Sequence, residues 1–174
     1  MIQLKFRCDY SISSDPFVQK LYCENKGSTK FPGTQNPTIN YCYDEVKGGY
    51  SFEISGNQIL IHCDPECDFD GDIFLFIPAQ GLALRIIRRG SQHNTILFTE
   101  QCDERCLMCS QPPRDVDDKW LIPFYAEAIS LADEGVRIGI SGGEPTLHKE
   151  ELFLLLEQIA DSRPDLSFHI LSNA

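Results

Sequence analysis

Three of the chain's eight cysteines fall within eight residues, Cys102, Cys106 and Cys109 of "QCDERCLMCSQPP", in the spacing C-x3-C-x2-C. Such offsets also put three residues on one helix face, where cysteine behaves as a small buried hydrophobe. The surroundings argue against a helix: Asp103, Glu104 and Arg105 make the first half polar, and Pro112 and Pro113 stop any helix almost at once. Structural zinc wants four protein ligands, usually from two close pairs, whereas this loop offers three. Three thiolates and one open position suit a four-iron four-sulfur cluster with one iron left free for a small-molecule ligand. Spacing and context favour that cluster over zinc or a buried stripe.

The second motif is "GISGGEPTLH", residues 139–148. As a plain strand-to-helix turn it needs no ligand, because Gly142 and Gly143 relieve backbone strain and Thr146 helps start the next helix. Paired glycines also let the backbone approach a ligand closely, and Glu144 can accept a hydrogen bond from an ammonium group.

Both motifs must be held by regular elements. "TILFT" (95–99) reads as a buried strand directly ahead of the cysteines. Over 117–134 the apolar residues Leu121, Phe124, Tyr125, Ala128, Ile129 and Ala132 recur at helical spacing, with Asp117 or Asp118 able to cap the start and Gly135 suited to the end. Pro123 requires that the regular helix begin near it or that the first turn be irregular. "VRIGIS" (136–141) gives a second strand, "KEELFLLLEQIAD" (149–161) a helix with Leu152, Leu155, Leu156 and Ile159 on one face, and "LSFHILS" (166–172) a third strand. Strand, helix, strand, helix, strand implies parallel pairing, and reactive groups in such sheets gather at the C-terminal strand ends. The cysteines follow the first strand and Gly-Gly-Glu-Pro follows the second, so both motifs fall on one rim.

The preceding half is different. Residues 1–40 show little periodicity, and "ENKGSTKFPGTQNPT" (24–38) reads as a long loop. From 50 to 87, "YSFEI", "QILIHC", "DIFLFI" and "LALRII" are short β-type runs separated by "SGN", "DGD" and "PAQG", which suit hairpin turns. The expected division is a β-rich accessory domain over 1–92 and an α/β domain over 93–174.

Composition narrows the partners. A formal net charge of −11 disfavours nucleic acid, whose phosphates require clustered Lys and Arg. The local basic patch Arg85, Arg88 and Arg89 reads as a solvated strand end. Eight cysteines in 174 residues fall below the density of a disulfide scaffold. The N-terminal stretch lacks the apolar run of a secretory signal, and no apolar run is long enough to span a bilayer. A reducing cytoplasm is the expected compartment, where clustered cysteines bind metal or do chemistry.

Taken together, C-x3-C-x2-C after a first strand and Gly-Gly-Glu-Pro after a second resemble the radical S-adenosylmethionine superfamily, whose fold is a partial or full parallel α/β barrel. "RRGSQHN", "CLMCSQPPRDVDD", "GISGGEPTLH" and "HILSN" resemble more narrowly the radical maturase of the His-Xaa-Ser peptide system, over residues 88–173. The resemblance implies the first three β/α units of a TIM-like barrel behind the β-rich domain. It implies that Cys102, Cys106 and Cys109 bind three irons of a 4Fe-4S cluster, and that the fourth iron chelates S-adenosylmethionine. Gly142, Gly143, Glu144 and Pro145 would line the methionine moiety, with Glu144 near its ammonium. One electron from the cluster would then cleave the sulfonium to methionine and a 5'-deoxyadenosyl radical that abstracts a substrate hydrogen. The implied partners are a ribosomal precursor peptide with His-Xaa-Ser repeats, an electron donor, and a second maturase or the missing half of the barrel. Neither nucleic acid nor membrane belongs among them.

Two departures accompany the resemblance. Where the superfamily usually has an aromatic residue before the third cysteine, this chain has Met108, whose polarizable thioether can still pack on an adenine. Only three strands precede "LSNA", fewer than such a barrel holds. The expectation is a fragment or one half of a split protein, weak alone in binding S-adenosylmethionine. Its third strand would keep an open edge, and Val136, Ile138 and Ile140 would lose packing from later strands. Ser172 and Asn173, ending that strand at the rim, are expected to contact the cofactor.

Weaker candidates remain. Cys63 and Cys67 of "CDPEC" could join Cys42 or Cys8 in an accessory metal site, although free thiols are the plainer reading; Cys23 carries no assignment. His93 reads as a turn histidine, and Tyr22, Tyr41, Tyr43 and Tyr50 as packing residues. A peptide could add as a strand to an edge of the β-rich domain. The competing function is a non-catalytic binding module that keeps the three-cysteine loop as a structural metal site.

Overall fold

The computed structural model describes residues 5–22, 41–109 and 112–173. The expected loop over 24–38 and Cys23 lie outside the described residues. The chain divides into two compact units, Met1–Arg89 and Gly90–Ala174.

The first unit is a seven-stranded antiparallel sheet. Its strands are β1 (Lys5–Tyr10), β2 (Phe17–Lys20), β3 (Cys42–Asp44), β4 (Gly49–Ile54), β5 (Asn57–His62), β6 (Ile73–Ile77) and β7 (Leu82–Ile87), in the order β2-β6-β7-β1-β5-β4-β3. The four β-type runs of the sequence are β4 to β7. Ile54 pairs with Asn57 across Ser55 and Gly56, whose φ angles of 50° and 79° are the two left-handed positions of a type I′ turn. "PAQG" is a 3-10 turn, Pro78–Gln80, closed by Gly81 at φ 63°.

The sequence reading missed β1, which is a central strand between β7 and β5. The alternation in "KFRCDY" carries the signal: Phe6 and Cys8 point into the core while Lys5, Arg7 and Asp9 face out. The core is aromatic, with Phe69 edge-on to Phe6 at 5.3 Å and to Phe74 at 5.2 Å. Packing is also the role of Tyr41 and Tyr50, which meet edge to face at 5.3 Å.

Arg85 corrects the expectation of a solvated basic patch. It is 9% exposed, lies 4.8 Å over the Phe69 ring, donates to the Asp68 carbonyl at 2.8 Å and pairs with Asp72 at 3.0 Å. Arg89 pairs with Asp70 at 2.9 Å, so "DFDGD" neutralises the basic strand end. Burying an unpaired charge costs several kcal/mol, which is why the aspartates travel with the arginines.

The second unit is a three-stranded parallel sheet in the order β10-β9-β8, formed by β8 (His93–Thr99), β9 (Arg137–Gly142) and β10 (Ser167–Ile170). The helices α1 (Ile122–Ser130) and α2 (Lys149–Ser162) connect them. The expected parallel β/α order is present. Helix α1 is shorter than the periodicity suggested: a 3-10 turn, Lys119–Leu121, precedes it, and Pro123 occupies its first turn, where no amide donor is needed. Of the two capping candidates, Asp118 makes no capping bond, whereas Asp117 accepts the Lys119 amide at 3.3 Å at the start of the 3-10 turn. The end of α1 is closed from a distance by Arg163, which donates to the carbonyls of Ser130 at 2.9 Å, Ala132 at 2.8 Å and Asp133 at 3.2 Å. Asp165 orients that guanidinium, and the bond from Arg163 holds its carboxyl well below the usual carboxylate range.

Of Val136, Ile138 and Ile140, which were expected to lose packing, the two isoleucines are fully buried and Val136 is half-buried. Register puts the two isoleucines on one face with Ile96, and the apolar sides of α1 and α2 (Ala128, Ile129, Leu152, Leu155, Ile159) supply the partners. On the other face Thr95, Gly139 and His169 stand in register, and a Cβ on Gly139 would come within 2.8 Å of the Thr95 hydroxyl. β10 pairs only with β9, and Ile170 and Leu171 are 41% and 56% exposed, so the expected open edge is present among the described residues.

Candidate functional site

The C-terminal ends of β8, β9 and β10 are tied to one another by a polar network built from few residues. At the end of β8 the Thr99 carbonyl accepts the Gly143 amide at 2.7 Å and the Gln101 carbonyl accepts the Glu144 amide at 2.8 Å. These two bonds press the Gly-Gly-Glu-Pro turn against the root of the cysteine loop. A Cβ on Gly142 would overlap the Thr99 carbonyl, and one on Gly143 the Gln101 carbonyl. Gly142 also has φ 132°, which L side chains rarely adopt. The close approach that the paired glycines permit is therefore to the strand carrying the cysteines.

Glu144 is the centre of this network. Its Oε1 accepts from the Thr146 amide at 2.8 Å, the Thr146 hydroxyl at 2.6 Å and the Ser172 hydroxyl at 2.9 Å, while Oε2 accepts from the Asn173 amide at 2.6 Å. The residue is 2% exposed. Burial on its own raises a carboxyl pKa, but the amide of Asn173 and the two donors of Thr146, with Ser172, outweigh it and hold Glu144 at about 2. The same carboxylate starts the 3-10 turn Pro145–His148, in which Pro145 is buried. It binds the turn after β9 to the end of β10.

The cysteine loop is anchored at its root. Asp118 accepts the Glu100 amide at 2.6 Å, the Glu100 carbonyl accepts the Arg114 amide at 3.0 Å, and Arg114 pairs with the Glu100 carboxylate at 3.0 Å. Gln101 is pinned between His148 at 2.9 Å and Asp115 at 3.1 Å. Sequence reasoning passed over Gln101 and His148 and read Asp118 only as a helix cap; their signal was slight, polar residues flanking each motif.

Beyond the root the loop is not helical, which removes the reading of a buried cysteine stripe. Cys102 is half-buried, Cys106 and Cys109 are exposed, and none of the three forms a disulfide among the described residues. The Cys109 amide bonds the Cys106 carbonyl at 3.1 Å in a turn. The Cys102 sulfur receives the Glu104 amide at 3.5 Å and the Asn173 side-chain amide at 3.9 Å. Leu107 and Met108 stand out from the loop at 104% and 96% exposure, so Met108 faces solvent. A cavity of about 590 Å³ opens beside the loop, lined by Gln101, Cys102, Asp103, Arg105, Arg114 and Leu147 among others.

Among the described residues no three His, Cys, Asp or Glu side chains converge as one metal ion would require. A cluster asks for something else, one thiolate per iron at separate corners, and a non-helical loop presenting three cysteines outside any disulfide, with N–H donors at one sulfur, fits that donor chemistry.

The other cysteines belong to the first unit. Cys8 is buried, and burial pushes its thiol up to about 12. Cys63, beside Cys67, is pushed up to about 12 by burial and by that neighbour, and the two gather no third ligand among the described residues. Cys42 is exposed. His93 is exposed, and Ser91 bonds its backbone at 2.7 Å. No helix among the described residues is long and apolar enough to cross a membrane.

The arrangement can hold three soft ligands on a fixed loop, with a buried carboxylate and two strand-end polar residues behind it. Comparison with protein-family models, with curated proteins and with solved structures finds no match for this chain.

Proposed function

We propose that this chain is a radical S-adenosylmethionine peptide maturase component that carries its catalytic unit over residues 93–174 as the first β/α units of a TIM-like barrel. The observation that carries this reading is the fastening of three motifs at one rim: the cysteine loop after β8, Gly-Gly-Glu-Pro after β9 and Ser172-Asn173 after β10.

Cys102, Cys106 and Cys109 would hold the 4Fe-4S cluster. When bound, the cluster and S-adenosylmethionine supply one-electron cleavage of a sulfonium, chemistry no side chain offers. The chain's own residues bind and orient. Asp118 and Gln101 fix the loop root, so the three thiols are presented without reorganising the strand. Glu144 stays ionised because its donors are built in, and Oε2, which accepts one amide, is the oxygen with an acceptor direction left for a ligand ammonium. Met108, fully exposed, is free to fold over an adenine. The polar strip Thr95, Gly139 and His169 continues the site across the sheet face away from the helices. The substrate class, a precursor peptide with His-Xaa-Ser repeats, and the electron donor rest on the motif resemblance; a cytoplasmic setting rests on the cysteine usage. Among the described residues, β2 and β3 are the outer strands of the first unit and offer edges to such a peptide.

Anaerobic reconstitution tests the reading. About four irons with matching sulfide per chain, and a spectral change on adding S-adenosylmethionine, are expected. Replacing the three cysteines with alanine should abolish both. One zinc per chain and no response would refute the reading and favour a binding module with a structural metal.

A further inference from the structure

We propose that the side-chain amide of Asn173 tunes the reduction potential of the metal group held by Cys102, by donating an N–H to the Cys102 sulfur. The inference rests on the iron–sulfur reading of the loop and assigns Asn173 a role toward the protein ligand rather than toward the small molecule.

Three features carry it. First, the Cys102 sulfur has two N–H donors, the Glu104 backbone at 3.5 Å and Asn173 Nδ2 at 3.9 Å. Second, the Asn173 amide is aimed. Its backbone N–H is fastened to the buried Glu144 carboxylate at 2.6 Å, the neighbouring Ser172 hydroxyl is fastened to the same group at 2.9 Å, and Nδ2 also donates to Asp103 Oδ1 at 3.1 Å. Third, the donor inventory is closed. An asparagine amide has two N–H bonds, and here they go to Cys102 and Asp103, leaving only Oδ1 for any other partner. The strand-end residue thus reaches across the rim to the first ligand of the loop.

Hydrogen bonds to a ligating sulfur disperse its negative charge, more so in the reduced state, where that charge is greater. A donor at Cys102 therefore favours the reduced form and raises the potential. An asparagine does this without adding a full charge, and Glu144 supplies the rigidity that keeps a long, weak N–H···S contact in place.

The test compares the full chain with Asn173→Ala and Asn173→Asp after anaerobic reconstitution. Iron and sulfide are measured first, then the midpoint potential by a titration followed by electron paramagnetic resonance. Both variants are expected to keep the iron content of the native chain. The potential should fall in Asn173→Ala and fall further in Asn173→Asp, which adds a negative charge beside the sulfur. Unchanged potentials at full iron content would overturn the assignment. Loss of iron in both variants, with the native chain loaded, would make Asn173 a structural brace and overturn it as well. A native chain that assembles no iron–sulfur group would instead remove the functional reading, and the assignment with it.

Discussion

Glu144→Gln isolates the charge of the carboxylate that ties the strand ends together. The ordinary carboxyl pKa of 4.5 falls to about 2 at Glu144, and at about 1.36 kcal/mol per pH unit the ionised form stabilises the fold by about 3 kcal/mol. Because the folded value lies below the unfolded one, this stabilisation is fully present above pH 4.5 and is lost as pH falls toward 2. Glutamine keeps the shape, and its carbonyl can serve the three donors now on Oε1. Its amide nitrogen then faces the Asn173 N–H, donor against donor, where Oε2 accepted a bond of 2.6 Å. The sole tryptophan, Trp120, lies in the Gly90–Ala174 unit and packs on Phe124 at 6.0 Å, so its fluorescence follows that unit's unfolding. Urea unfolding read at Trp120 should show Glu144→Gln about 3 kcal/mol less stable at pH 7, with the gap narrowing between pH 4.5 and pH 2. A gap of the same size at pH 7 and near pH 2 would show that the charge of Glu144 does not hold the strand ends, and would refute the reasoning.

Two further substitutions probe the frame around the site. Gly143→Ala places a methyl into the Gln101 carbonyl, and a loss of more than about 3 kcal/mol is expected in the same unfolding measurement; Gly90→Ala, with nothing within 4 Å of the added carbon, should stay within about 0.5 kcal/mol of the native chain. Arg163→Ala removes the donors that close the end of α1, with an expected loss of about 2–4 kcal/mol and faster amide hydrogen exchange in the last turn of that helix. Arg163→Lys should not restore it, because a single ammonium cannot span three carbonyls and Asp165 at once.

Much of the frame was legible along the chain. The runs that became β4 to β7 and β8 to β10 announce themselves by period, and "SGN" by the need for two left-handed residues. β1 was readable in "KFRCDY" but was set aside with the irregular segment that surrounds it. Helix α1 was overestimated because apolar spacing continues through Ala132 although the α-helix ends at Ser130, where the Leu131 and Ala132 amides bond back to Glu127, Ala128 and Ile129 in a closing turn. Arg85 and Arg89 were misread for a different reason: charge along a sequence carries no record of which aspartate will lie opposite across a sheet.

The three-cysteine loop and Gly-Gly-Glu-Pro were determined by the sequence, since thiol spacing, flanking prolines and the alternation of strand and helix are local properties that need no partner to be read. The side on which Glu144 would spend its charge was decided only by the tertiary structure. Ser172 and Asn173 lie 28 and 29 residues from it in the chain and reach it only when β10 adds beside β9. The glycine pair is the same case: its need for space comes from Thr99 and Gln101, whose carbonyls arrive only when β8 lies alongside. A hydrogen bond or a steric limit belongs to two groups at once, and sequence spacing specifies a single group until the fold supplies the other.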